Sequence, residues 1–259
     1  LVVLAVLALF ANGLSLAAGV RLRGHVRRSL RVSQGAFLPT GAILLPVREV
    51  DDGFDANVRA ILGQEYPAFR LIGIADLPDD PALGRIRTLG AERSGRRVDT
   101  IVSTADPLGG KVNALRTGLG ALGPTDEIVV FADADIRPGP GWLRQLVQPL
   151  ADLSVGASTG FRWYAPPRPT FWSLVRSEWN AVSANVLFDQ SRNYAWGGSC
   201  AIRRDDVRRF RLEDVWRGVL SDDLTLTRAV REAGLRIEYA AAALVPTHEG
   251  STRVACVDW

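Results

Sequence analysis

At 259 residues, 47% of them hydrophobic, the chain is long enough for one large folded domain and little more. Its net charge of +3 does not describe a duplex-binding face. Five of the 31 basic residues (Arg21, Arg23, Arg27, Arg28 and Arg31) fall in the first 31 positions, and the rest of the chain is slightly acidic, so nucleic acid is not an expected partner.

Residues Leu1 to Val20 carry no charge, and twenty helical residues span about 30 Å, the hydrocarbon thickness of a bilayer. The arginine cluster follows at once. The expectation is a transmembrane helix over 1–20, a basic juxtamembrane connector over 21–40, and a cell-membrane protein whose remaining chain faces the cytoplasm. The alternative is a cleaved signal peptide ending near Leu16-Ala17-Ala18-Gly19, which would place its positive charges before the apolar stretch and not after it.

Next, Gly41 to Val47 reads as a first strand, Phe54 to Gln64 as a helix, and Phe69 to Ala75 as a second strand ending in Asp76, with Asp79-Asp80 just behind. A helix over 82–92, a strand over 98–102 and a helix from Lys111 to Leu122, opened by Gly109-Gly110, come next. Ile128 to Phe131 is a short run of β-branched and aromatic residues, typical of a buried strand. It runs into Asp133-Ala134-Asp135, and Pro138 to Gly141 then breaks the chain. Strand and helix alternate throughout, which predicts a parallel, doubly wound α/β sheet.

Beyond this point the pattern predicts a helix over 142–150, a strand over 155–161, a loop at Pro166-Pro167-Arg168-Pro169, and a long aromatic helix from Thr170 to Phe188. Trp196-Gly197-Gly198-Ser199 is glycine-bent backbone that leads into Ala201-Ile202 and Arg203-Arg204. Ser221-Asp222-Asp223 caps a helix over 224–233, and two closing strands cover 236–239 and 243–246. Cys200 and Cys256 stand far apart without metal-ligand spacing and fit a reducing compartment.

Three acidic stations stand out: Asp76 with Asp79-Asp80, Asp133 with Asp135, and Asp222-Asp223. Each alone reads as a turn or a helix cap. The first two follow strands, and the carboxyl edge of an open α/β sheet is where ligands bind. Two carboxylates one residue apart at such an edge suit a divalent cation carrying a diphosphate.

The order of the motifs PVR, DDPA, GGKVNAL, FADAD, WGGSCAIRR and SDDLTLTRAVREAG, from Gly41 to Glu249, resembles the family-2 glycosyltransferases with a GT-A fold. The DDPA and GGKVNAL stretches look most like the ceramide glucosyltransferase branch, with its bacterial relatives that act on membrane lipids. The resemblance implies a Rossmann-like, mostly parallel sheet flanked by helices over 41–259. It implies that Asp133 and Asp135 position Mg2+ or Mn2+ on the diphosphate of a nucleotide-sugar, UDP-glucose being the first choice. Asp80 or Asp79, with Asp76 in reserve, matches the acidic residue near the nucleotide base and ribose. Pro46 and Arg48 lie in the PVR match, Lys111 and Asn113 match a K-x-N on the donor side, and Arg203 can reach diphosphate or simply be surface charge. Trp196, Gly197 and Gly198 resemble an acceptor-side loop, where the Trp stacks on sugar or else fills core. Asp223 matches the catalytic base of an inverting transfer. Asp222 beside it departs from the usual Glu. His248 is assigned no metal.

A (Q/R)-x-x-R-W segment is expected after the closing strands, followed by further membrane helices. The chain, which contains no Met, stops at Trp259, so the transferase domain is expected to be C-terminally incomplete and weak in transfer. Beside a lipid hexosyltransferase, the sequence leaves open a processive polysaccharide synthase and a non-catalytic nucleotide-sugar-binding membrane protein.

Overall fold

The computed structural model describes residues 2–30, 35–103, 110–166, 168–248 and 250–257. Gly109, Arg31, Pro167, Glu249 and Trp259 of the expectations above lie outside them.

The first unit repeats a strand-then-helix pattern: β1 (Gly41–Pro46), α2 (Phe54–Leu62), β2 (Phe69–Ala75), α3 (Pro81–Ala91), β3 (Arg97–Val102), α4 (Gly110–Gly120) and β4 (Ile128–Ala132). These four strands are parallel, in the order β3-β2-β1-β4. The second unit holds α5 (Trp142–Val147), β5 (Val155–Tyr164), α6 (Phe171–Ala184), β6 (Ser199–Arg203), α7 (Arg204–Arg209), α8 (Leu212–Val215), α9 (Asp222–Glu232), β7 (Arg236–Thr247) and α10 (Arg253–Val257). Its strands complete one seven-stranded sheet, β3-β2-β1-β4-β6-β5-β7, in which β6 runs antiparallel to β4 and β5.

Strand residues alternate between the two faces of the sheet, so β1 feeds two cores. Ile43 and Leu45 join Val58, Ile61, Ile86, Val130 and Leu146 on one face. Ala42 and Leu44 join Leu115, Phe131, Trp216, Leu226 and Val230 on the other. Burial on both faces is why β1 and β4 are apolar without a break.

Several boundaries differ from expectation, among them β5, which was expected to stop at Phe161 and runs on to Tyr164. The first helix, α1, runs unbroken from Val2 to Ser29, so the basic stretch up to Ser29 is helix and not connector. Leu22 and Val26, one turn apart, pack against a third apolar cluster of Phe161, Ala184, Leu187, Tyr239 and Ala241, and the His25 ring stacks on Tyr239. This docking carries the helix past its apolar section. The two closing strands are one, β7, whose pairing with β5 jumps from Thr159–Tyr239 to Phe161–Leu244. That irregularity fell where the sequence suggested a gap. Helix α6 begins with a capping box formed by Thr170 and Ser173 and stops at Ala184, one turn short of expectation.

α1 passes the length and hydropathy test for a membrane span, with a mean hydropathy of 2.1 over its best window and none of that window buried against the domain.

Candidate active site

The carboxyl edge of β4 is the centre of the site. Past Ala132 the chain still pairs with the strand beside it, since Asp133 N donates to Gly198 O at 3.2 Å. The Trp196-Gly197-Gly198 turn therefore runs against the Asp133 backbone. Gly197 N in turn donates to Asp223 Oδ1 at 2.7 Å. Asp223 stands in the first turn of α9, whose entry is fixed by Ser221 Oγ accepting from Leu224 N. Two stations nearly ninety residues apart thus meet through one glycine turn.

Both glycines are required by space. A Cβ at Gly197 would land on the carboxylates of Asp222 and Asp223, and one at Gly198 on the Asp133 carboxylate and the Trp196 ring.

Lys111, on the first turn of α4, closes the group. Its Nζ lies 2.9 Å from Asp133 Oδ1 and 3.1 Å from Asp222 Oδ2. The second contact is an ion pair without hydrogen-bond alignment, which leaves Asp222 Oδ2 buried and able to accept. Burial works against charge on Lys111, but Asp133, Asp222 and Asp223 outweigh it and raise its pKa above the ordinary lysine value.

Arg162, near the end of β5, was not singled out by the sequence. Its Nη1 and Nη2 fork onto Asp135 Oδ2 and Oδ1, both at 2.6 Å, and Nη2 also reaches Asp133 Oδ2 at 2.8 Å. Its guanidinium lies 5.2 Å from the Trp196 ring centroid and 5.8 Å from that of Tyr164. One signal was available: a charged residue inside the aromatic strand end Phe161-Arg162-Trp163-Tyr164 needs a buried partner.

The carboxylates do not behave alike. Burial, and then the neighbouring Asp222, push Asp223 up to about 7, against the pull of Lys111 and of the Gly197 N–H. Burial also raises Asp135, although Arg162 opposes it. A carboxyl with a pKa near neutrality, beside others held by cations, is the arrangement that separates a proton acceptor from charge-binding groups.

The remaining predicted residues divide. Asp76, exposed just past the end of β2, accepts from Ser103 Oγ at 2.5 Å and from the N–H of Gly110, the residue before Lys111, at 3.3 Å. Asp80 caps α3 through Ala82 N at 2.9 Å and also accepts from Glu49 N at 3.2 Å, tying the β1 loop to the β2 loop. Asp79 and Arg48 are exposed, Pro46 is half-buried at the end of β1, and Asn113 is buried within α4. Pro46 ends β1, and Arg48, Asp76, Asp79 and Asp80 follow the carboxyl ends of β1 and β2, on the same edge of the sheet as Asp133. Trp196 is half-buried, edge-on to Phe161, with Arg162 over its ring.

Arg203 is a correction. It pairs with Ile128, at the opposite end of β4 from Asp133. There it donates to the carbonyls of Leu150, Asp152 and Val155 and to Asp206 Oδ2, at 2.7–2.9 Å. It ties loops together on the far edge of the sheet and does not reach the acidic rim. Arg204 beside it donates to Gly123 O.

The donor chemistry suits a hard divalent cation. Asp133 and Asp135 offer carboxylate oxygens at one half-buried turn, and both already attract positive charge. Among the described residues no group of three His, Cys, Asp or Glu side chains forms a closed metal cage. A cation there would share its coordination with a ligand such as diphosphate.

A parallel β-α half-sheet with acidic turns on its carboxyl edge, joined to an antiparallel strand that brings in a second acidic pair, is the architecture of the GT-A fold. The profile of Glycosyltransferase like family 2 matches residues 39–257, and the chain belongs to that family. Among solved structures, the mannosyltransferase PcManGT from Pyrobaculum calidifontis in complex with GDP-Man and Mn2+ is similar at 20% identity and a TM-score of 0.64, over 92% of this chain and 66% of that one. This chain thus spans just under two thirds of that protein. Glucosyl-3-phosphoglycerate synthase from Mycobacterium tuberculosis, in complex with Mn2+, UDP-Glc and phosphoglyceric acid, is similar at 18% identity and a TM-score of 0.51, over 83% of this chain and 73% of that one. At these identities the likeness carries the fold. Curated protein sequences contain no match.

Proposed function

We propose that the protein is an inverting hexosyltransferase of the cell membrane that moves glucose from UDP-glucose to a hydroxyl of a membrane lipid on the cytoplasmic side. The observation that carries this reading is one cluster in which Lys111 bridges Asp133 and Asp222, Arg162 bridges Asp133 and Asp135, and the Gly197-Gly198 turn ties Asp223 to the Asp133 backbone. Asp133 and Asp135 would hold Mg2+ or Mn2+, which when bound neutralises charge developing on the leaving diphosphate.

This chain's own residues supply the rest. Asp223 takes the proton of the acceptor hydroxyl as that oxygen attacks the anomeric carbon. The bond from that carbon to the diphosphate oxygen breaks, its electron pair stays on the nucleoside diphosphate, and attack from the opposite face inverts the configuration. Lys111 holds Asp133 and Asp222 in place and offers positive charge to the phosphates. Asp80, Asp79 and Asp76 border the nucleotide side, with Pro46 and Arg48 along the same edge of the sheet and Asn113 within α4. Trp196, Gly197 and Gly198 wall the acceptor side. The lipid acceptor and the ceramide-glucosyltransferase-like branch are supported by the DDPA and GGKVNAL stretches and by the exposed apolar length of α1.

The test is transfer from radiolabelled UDP-glucose by the full-length protein in membranes, followed by lipid extraction. Label is expected in the lipid fraction with wild type and not with Asp223→Asn, which should still bind UDP. An undiminished rate in the variant removes Asp223 as base, and label in a water-soluble polymer replaces the lipid transferase with a polysaccharide synthase.

A further inference from the structure

Every carboxylate oxygen of the Asp133–Asp135 pair is already occupied by a cation of the chain itself. Lys111 Nζ holds Asp133 Oδ1 at 2.9 Å. Arg162 holds the other three, Asp133 Oδ2 at 2.8 Å and both oxygens of Asp135 at 2.6 Å. The Arg162 side chain is only 12% exposed. Its place is set from several sides: Trp196 and Tyr164 lie against the guanidinium, and Asn180 Nδ2 of α6 donates to the Arg162 carbonyl at 2.8 Å. A planar fork with bidentate carboxylate contacts is the strongest form of side-chain ion pair, and its charge cannot be titrated away.

We infer that Arg162 is a built-in counter-cation of this acidic pair, one that a divalent metal must displace, so that metal and nucleoside diphosphate bind together and metal alone binds poorly. The inference rests on reading Asp133 and Asp135 as metal-diphosphate residues. Its physical basis is competition for the same oxygens. Metal arriving alone would leave a buried guanidinium beside a new dication and without its partners, which is costly. Metal arriving with a diphosphate brings the anion that the displaced guanidinium needs. Affinity for metal and affinity for nucleotide are then coupled, and by linkage the coupling is the same in both directions. Arg162 and Lys111 together also offset the mutual repulsion of the acidic rim, Arg162 at Asp133 and Asp135 and Lys111 at Asp133, Asp222 and Asp223.

The test measures binding and not turnover. Mn2+ is titrated calorimetrically into the full-length protein in detergent, with and without saturating UDP, for wild type, Arg162→Gln and Asp135→Ala. In wild type, UDP is expected to tighten Mn2+ binding by tenfold or more. In Arg162→Gln, Mn2+ alone is expected to bind about tenfold more tightly than in wild type, and the gain from UDP to shrink. Unchanged or weaker binding of Mn2+ alone to a variant that keeps its circular dichroism overturns the inference. Should Arg162→Gln fail to fold, Arg162→Lys keeps the charge and loses the fork. A several-fold gain for Mn2+ alone then supports the inference, and no gain overturns it. Asp135→Ala separates the two levels. If it leaves Mn2+ binding intact in the presence of UDP, the metal reading itself fails. If it abolishes that binding while Arg162→Gln changes nothing, only the role of Arg162 fails.

Discussion

The Gly197 N–H donates to Asp223 Oδ1 at 2.7 Å, in a turn where any side chain on Gly197 would strike the carboxylates of both Asp222 and Asp223. One backbone amide therefore fixes the orientation of the proposed base and forbids a Cβ in the same place. Gly197→Ala should push α9 away from the turn and cost about 100-fold in transfer, the scale of a misplacement near 1 Å. Stability should fall less, because the cores on either side of the sheet are untouched. Kinetics of the variant beside its thermal unfolding will check this: equal losses in both would make Gly197 a packing residue only.

Asp223 gives a pH signature with a defined sign. Its pKa is raised in the folded protein to about 7, chiefly by burial and then by Asp222. A raised acid pKa means that the folded state binds the proton more tightly than the unfolded state. The stability this contributes is complete below the unfolded carboxylate value and is lost as pH climbs through about 7. Asp223→Asn keeps an oxygen for the Gly197 amide and removes the charge. It should melt higher than wild type at pH 8, by a margin on the order of 1–3 kcal/mol, and the gap should narrow as pH falls below 7 and close only near the unfolded carboxylate value of 3.8. Wild-type transfer should rise with pH through about 7 as the base loses its proton. A gap that stays constant with pH would show that Asp223 is not the titrating group.

Much of the fold was legible because the central parallel strands β1 and β4 are buried on both faces and so are apolar without interruption, as in Gly41–Pro46 and Ile128–Ala132. Asp133 and Asp135 were legible for a similar reason: both follow one such strand at a turn, so adjacency in the chain carries the signal. Arg162 was not. It reaches those carboxylates from 27 and 29 residues away through the pairing of β5 with β6, and no local spacing encodes that. Arg203 failed in the opposite way. It follows the glycine turn by only five residues, but β6 runs antiparallel to β4 and at about 3.3 Å per residue carries it to the far edge. Proximity in sequence became distance in space because of strand direction.

Arg203 therefore gives a prediction that separates stability from binding. Its guanidinium serves three backbone carbonyls and Asp206 on the edge away from the acidic rim. Arg203→Ala should destabilise the domain by about 2–3 kcal/mol, the range for hydrogen bonds to a charged group left unmade. Its affinity for UDP at a temperature well below unfolding should stay that of wild type. Loss of UDP binding in a folded Arg203→Ala variant would return Arg203 to the donor site.

Lys111 yields the last prediction. Its ammonium is the direct link between Asp133 and Asp222, and the three acids around it hold its pKa above the ordinary lysine value despite burial. It stays charged across the working pH range. Lys111→Gln keeps most of the length and removes the charge, so Asp133, Asp222 and Asp223 lose their shared cation. Two effects should follow together. UDP should bind about tenfold more weakly, the loss of one charge-assisted contact to phosphate. The proton on Asp223 should also be held more tightly, because Lys111 is the cation that lowers its pKa, which moves the rising limb of the pH–rate profile above the wild-type position. Binding titrations and pH profiles on the same preparation will check both. Weaker UDP binding with an unmoved pH limb would mean that Lys111 serves the donor alone and is not coupled to the base.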